Sequence, residues 1–181
     1  MRLRLDFDVI SPDVDETPLS GESPRALAVR LSQAKAQAVA QRHPGSLVIG
    51  SDQVATVGDQ SLGKPGDHVR AVAQLRLLSG QAVEFHSALC VTDGQRHDIA
   101  DVVTRCVFRT LTDLEIETYL QAERPYDTAG SAKAEGLGIA LMESMHSDDP
   151  TAIIGLPLIR LSAMLRGFGF NPILAAGGLT A

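Results

Sequence analysis

Two alternating runs on either side of Asp93-Gly94 do most to limit what this chain can fold into. In the first, Val83, Phe85, Ser87, Leu89 and Val91 alternate with Glu84, His86, Ala88 and Cys90; the second covers residues 102–109. A period of two sends successive side chains to opposite faces of a strand, and an Asp-Gly pair supplies the tight reversal that makes two such strands a hairpin. Elsewhere the period is helical. Ser23-Pro24 offers an N-cap with proline at the first helical position, and Leu27, Leu31, Ala34 and Ala38 follow at helical spacing until His43-Pro44-Gly45. Asp67 can cap a second helix carrying Val69, Val72, Leu75 and Leu78, stopped by Ser79-Gly80. Thr112-x-x-Glu115 is a capping box ahead of Ile116, Tyr119 and Leu120. A last helix starts near Pro157, packs Leu158, Leu161 and Leu165, and stops at Gly167 or Gly169. Helices interleaved with strands around a hairpin predict an α/β fold with a mixed sheet rather than a doubly wound one.

The shorter segments carry weaker signals. Leu3, Leu5, Phe7 and Val9 alternate with Arg4, Asp6 and Asp8, which reads as a strand or extended edge, followed by an irregular stretch around Pro12 and Pro18. Leu47-Val48-Ile49-Gly50 is a short apolar strand running into Ser51-Asp52-Gln53, with residues 54–57 as its continuation. Gly58-Asp59 and Gly63-Lys64-Pro65 make turns, and residues 125–150 are loop-rich. At 181 residues the chain suits one domain over 1–181 with a core that needs no disulfide or structural metal. Cys90 and Cys106, in apolar runs without C-x-x-C spacing, read as core thiols of a cytoplasmic protein. No apolar run approaches the ~18 residues of a membrane span. A net charge of −6 argues against coating a nucleic-acid polymer.

Three features look chemical rather than structural. Of the 16 basic residues only Lys35, Lys64 and Lys133 are lysines, the compact ammonium suited to phosphate oxygens. Asp52 closes the apolar strand that ends at Gly50, where a carboxylate could hold a divalent cation, take a proton from water, or merely shape a turn. Glu16 stands with Asp13 and Asp15 in an acidic loop that could serve a hard cation or simply be solvated. With Leu31 at the centre of its helix's apolar stripe, Lys35 falls about 40° from that centre, at the buried edge. The stretch 130–138 is neither a Walker loop nor a G-x-G-x-x-G turn, and the five histidines show no ligand spacing. From the residues alone the reading stops at a cytosolic α/β enzyme that handles phosphates with a divalent metal.

Six strings occur in order: Val14-Asp15-Glu16-Thr17-Pro18, Leu31-Ser32-Gln33-Ala34-Lys35-Ala36, Gly50-Ser51-Asp52-Gln53-Val54, Gly63-Lys64-Pro65, Ala129-Gly130-Ser131-x-Lys133-x-Glu135-Gly136-x-Gly138 and Ile154-Gly155-Leu156-Pro157-Leu158. With them the chain closely resembles the Maf family of nucleoside triphosphate pyrophosphatases over nearly its whole length. The resemblance implies an elongated mixed sheet flanked by helices, two lobes with a central cleft, and cytoplasmic cleavage between the α and β phosphates aided by magnesium or manganese. It also implies that Asp52 is the proton acceptor and metal ligand, that Glu16 lies at the metal, and that Lys35 and Lys64 face the phosphates. Ser51, Gln53, Lys133 and Glu135 then fall at the substrate. Gln53 and Glu135 resemble the subgroup acting on 7-methyl-GTP rather than the one acting on dTTP and UTP. A carboxylate suits the donor edge of a guanine whose 7-methylation adds positive charge. The expected partner is a nucleoside triphosphate, with no membrane or nucleic-acid polymer, and homodimerisation is left open. The family's first strand and its Ser-x-Ser-Pro-x-Arg phosphate loop are not found ahead of Arg2-Leu3-Arg4-Leu5. The alternative expectations are a catalytically impaired nucleotide-binding or regulatory module, which that absence suggests, and a dTTP/UTP pyrophosphatase of the same family.

Overall fold

The hairpin forms the middle of a five-stranded sheet. The computed structural model describes residues 2–58 and 60–179, so Asp59 of the expected turn lies outside the described residues. The strands are β1 (Val48–Val57), β2 (Gln60–Leu62), β3 (Ala82–Thr92), β4 (His97–Phe108) and β5 (Met142–Ser147), in the order β2-β1-β3-β4-β5. All four pairings are antiparallel, so the mixture is one of helices and strands rather than of strand direction. Five α-helices accompany them among the described residues: α1 (Pro24–Ala40), α2 (His68–Leu78), α3 (Asp113–Glu123), α4 (Leu158–Gly167) and α5 (Pro172–Ala176).

The alternation of β3 decides which helix lies on which face. Ala88 and Cys90 point to α1, where they pack with Leu27, Leu31, Ala36 and Val39. Leu89 and Val91 point the other way, onto Leu161, Met164 and Leu165 of α4. Nearer its start, Val83 and Phe85 join the largest core, with Leu75 and Leu78 of α2 and Ile116 and Leu120 of α3. One core region thus lies under α2 and α3, and a second sandwiches the far end of β3 between α1 and α4. β3 is buried on two faces there, which explains why apolar residues stop alternating with polar ones after Ser87.

The expected caps are in place. The Ser23 side chain accepts from Ala26 N–H, Asp67 accepts from Arg70 N–H, and Thr112 and Glu115 form the capping box. Several expectations need correction. Residues 3–9 form no strand: Leu3 and Leu5 rest against the α4 core while Phe7 and Val9 are exposed, so their alternation is satisfied without a ladder. Val69 is exposed and Ala71 takes its place in the buried stripe of α2. The second hairpin strand begins at His97, five positions before the expected 102, because the turn between Asp93 and Arg96 is tight. The loop-rich stretch 125–150 contains β5, whose pattern Met142-Glu143-Ser144-Met145-His146-Ser147 has too little apolar contrast to announce a strand.

Candidate active site

Gly50 sets the site's geometry. It pairs with Cys90 on the α1 face, and a Cβ there would run into the Ser32 carbonyl oxygen and lie 2.6 Å from the Ala36 nitrogen. The backbone of α1 therefore rests directly on β1, and Lys35, one turn along from Ser32, is delivered over Asp52. Lys35 Nζ donates to Asp52 Oδ1 at 2.6 Å and pairs with Glu16 Oε1 at 2.7 Å. The lysine and aspartate side chains are 17% and 11% exposed, whereas Glu16, on the irregular segment before α1, is 51% exposed. Burial pushes the Asp52 carboxyl above its ordinary value, outweighing the contact with Lys35. Burial works against the Lys35 charge, but hydrogen bonds to Asp52 and Glu16 prevail and hold the ammonium above its ordinary value. The hydrogen bond from Lys35 holds Glu16 below the usual carboxylate range.

Asp52 sits in the middle of β1 and not at a strand's exit, because Val54 and Ala55 find burial on opposite faces and carry the strand on. The crevice consequently arises at a strand edge. β1 pairs with β2 only from Ala55 onward, and among the described residues its positions 48–54 pair with β3 alone. A cleft of ≈ 320 Å³ runs along that edge, lined by Lys35, Ser51, Asp52, Gln53, Lys64 and Glu135 together with residues 127–129, Ala132 and residues 153–155. Asp52 faces the α1 side, while Ser51 and Gln53 point to the opposite face and hold the cleft's other wall. Gln53 Nε2 donates to Ser87 Oγ at 2.9 Å and to the carbonyls of Ala152 and Ile153 at 3.0 and 3.1 Å. Ser51 Oγ lies 2.7 Å from the Gly155 carbonyl oxygen and 2.9 Å from that of Ala88. The donors of both side chains are thus committed to the protein, and the acceptor oxygen of Gln53 is without a partner among the described residues.

Lys64 is carried on a loop pinned at both ends: Gly66 N–H donates to the Tyr126 carbonyl, and Gln74 Nε2 donates to the Gly63 carbonyl. Gln74 also accepts from the hydroxyl of buried Ser131, which ties the Lys64 loop to the glycine-rich stretch bearing Glu135. In that stretch the glycines serve the loop itself. A Cβ on Gly138 would strike the Lys133 backbone, and one on Gly136 would strike the Glu123 carboxylate. Of the expected site residues, Lys35, Ser51, Asp52, Gln53, Lys64 and Glu135 come together. Glu16 joins through Lys35 but does not line the cleft, and Lys133 does not line it either: its ammonium pairs with Asp127 at 3.6 Å. Sequence reasoning missed Asp127 and the wall at 153–155; Ile154-Gly155 opens the last of the six strings and is the signal for that wall, whereas Asp127 lies in none of them.

Glu16 and Asp52 can be tested as cation ligands on their donor chemistry. Among the described residues no group of three or more His, Cys, Asp or Glu converges. Magnesium is ordinarily held by one or two carboxylates, with substrate phosphates and water completing its shell. Two carboxylate oxygens that already meet at one positive nitrogen fit that requirement.

A carboxylate raised by burial beside an ammonium, in a cleft with a further lysine and a further carboxylate, has the chemistry that hydrolysis of a phosphorylated substrate calls for. The chain belongs to the family described as Maf-like protein, whose model matches residues 1–168. It is 72% identical over 172 residues to a protein of Bordetella avium (strain 197N) named 7-methyl-GTP pyrophosphatase, covering 95% of this chain and 87% of that one. A protein of the same name from Bordetella pertussis (strain Tohama I) is 69% identical over 95% of this chain and 86% of its own. The namesake from Cupriavidus metallidurans (strain CH34) is 59% identical over 93% and 86%.

Proposed function

We propose that this protein hydrolyses a nucleoside triphosphate, with 7-methyl-GTP as its preferred substrate, to the monophosphate and diphosphate. The observation that carries the reading is the Asp52–Lys35–Glu16 cluster opening onto a cleft that Lys64 and Glu135 also line. Asp52 accepts the proton of a water attacking the α-phosphorus, a role its raised pKa suits by bringing it nearer the operating pH. Lys35 and Lys64 neutralise phosphate oxygens as charge moves onto the departing diphosphate. Magnesium or manganese held by Glu16 and Asp52 would supply charge neutralisation at the phosphates and a more acidic water. The base is read by acceptors: the Glu135 carboxylate and the free oxygen of Gln53 suit the N–H donors of a guanine edge, and the methylated ring adds a positive charge for Glu135. The names of the relatives support the same substrate.

The reading is tested by measuring diphosphate release from 7-methyl-GTP, GTP, dTTP and UTP with magnesium or manganese. The expected profile has the highest kcat/KM on 7-methyl-GTP, and Glu135→Gln erodes that preference more than it slows the best substrate. A profile led by dTTP or UTP would refute the substrate while leaving the reaction type in place.

A further inference from the structure

We propose that Lys35 is an internal occupant of the cation seat between Glu16 and Asp52, and that a divalent cation takes the seat only by displacing it toward the substrate phosphates. The inference rests on the metal-assisted reading above. Its starting point is that Asp52 Oδ1 and Glu16 Oε1 both meet a single nitrogen, at 2.6 and 2.7 Å. Magnesium takes its oxygens at about 2.1 Å, so the same two oxygens would have to close in by only roughly half an ångström each to grip a metal in place of the ammonium. The ammonium and the metal cannot share that position.

The parts around the seat allow such an exchange. Glu16 lies on a segment outside any helix or strand and is half exposed, so it can follow a smaller ion inward. Asp52 is fixed in the sheet between α1 and its pairing with Ala88. Lys35 is anchored at its Cα by α1, while its four-carbon stem lets the charged end swing. Two of the ammonium's three N–H donors go to the carboxylates, and the third has no partner among the described residues. Charge completes the case. Two carboxylates against one ammonium leave the seat one positive charge short of neutral. A divalent cation balances both carboxylates and frees the Lys35 charge for a triphosphate that carries several. Free metal must expel the lysine into water, whereas metal arriving with nucleotide gives it phosphate oxygens to move to. Metal and nucleotide should therefore each strengthen the other's binding.

The test uses the full chain and manganese alone, titrated calorimetrically or followed by the electron paramagnetic resonance of free Mn²⁺, with no nucleotide present. Lys35→Gln should bind Mn²⁺ about tenfold or more tighter than the wild type. Lys35→Met, which keeps the stem but not the charge, should do the same and stands in should the glutamine variant fail to fold. Lys35→Arg leaves a cation between the carboxylates and should stay near the wild type. Lys64→Gln removes an equal charge from the same cleft without emptying the seat, so it should tighten binding far less. Unchanged or weaker Mn²⁺ binding in both neutral Lys35 variants overturns the proposal, as does equal tightening in Lys64→Gln, which would reduce the effect to general charge. Absence of Mn²⁺ binding in all variants overturns it too. Because nothing is hydrolysed in this experiment, its failure is separate from a failure of wild-type diphosphate release, which would strike the proposed function itself.

Discussion

Asn in place of Asp52 keeps the shape and can still accept from Lys35, yet it cannot take a proton from water. Asp52→Asn should therefore fold normally and lose at least ~10²-fold in diphosphate release from 7-methyl-GTP. Lys64→Ala should also slow the reaction, because a phosphate oxygen loses its cation. Arg76→Ala should scarcely matter, since Arg76 makes an exposed ion pair with Asp113 at 2.8 Å, away from the cleft. Equal losses from the two substitutions would mean that general charge has been mistaken for a site. Lys35 was legible at this scale: an angle of about 40° from the apolar stripe put it at the buried edge, and it is mostly buried there. The commitment of Ser51 and Gln53 was not. Besides Ser87 and Ala88 on β3, both reach carbonyls within residues 152–155, about a hundred positions away, and no local pattern encodes that meeting.

At the scale of elements, two contacts seat helices against their neighbours, α1 on β1 at Gly50 and α4 on the loop before it. Gly50→Ala forces a methyl group into the backbone of α1, so it should cost about 1–3 kcal/mol and lower Tm, while shifting Lys35 relative to Asp52 and reducing activity as well. A loss of stability with unchanged kcat would show that Lys35 tolerates the shift. The second contact is buried Asp149, which accepts from Thr151 N–H and Oγ–H and from the N–H groups of Ile159 and Arg160 in the first turn of α4. Burial opposes its charge, but these hydrogen bonds prevail and hold the carboxyl below its ordinary value of 3.8. A depressed folded-state pKa stabilises at pH above the unfolded value and is lost as pH falls through the folded one. Asp149→Asn, which cannot accept on its amide side, should cost about 2 kcal/mol near neutrality. In thermal melts the gap between the two proteins should narrow below pH 3.8. The helix starts were readable because a cap is a short-range event: Ser23, Asp67 and Thr112 each lie three residues from the N–H they serve. Asp149 caps α4 from ten residues away, and β5 is held by its ladder to β4 rather than by its own composition, so neither shows in a local window.

For the molecule as a whole, the two core regions share their strands. β3 passes from Val83 and Phe85 in the core under α2 and α3 to Leu89 and Val91 under α4, and it pairs with β4 from Ala82 to Thr92. Neither region can open far without breaking a ladder that the other also uses, so unfolding should be a single cooperative event. The two thiols make this visible. Cys90 lies in the core beneath α1 and Cys106 in the core beneath α2 and α3, both without solvent exposure. Burial pushes each thiol up to about 11, so a thiol reagent at neutral pH meets almost no thiolate while the protein is folded. Modification must then wait for the chain to open, and each cysteine becomes a clock for its own half. Timed by mass spectrometry in mild denaturant, Cys90→Ala and Cys106→Ala should label their remaining thiol at the same rate once matched for stability. A faster Cys106 would mean that the half under α2 and α3 opens alone, giving the cleft a way to widen without unfolding the rest.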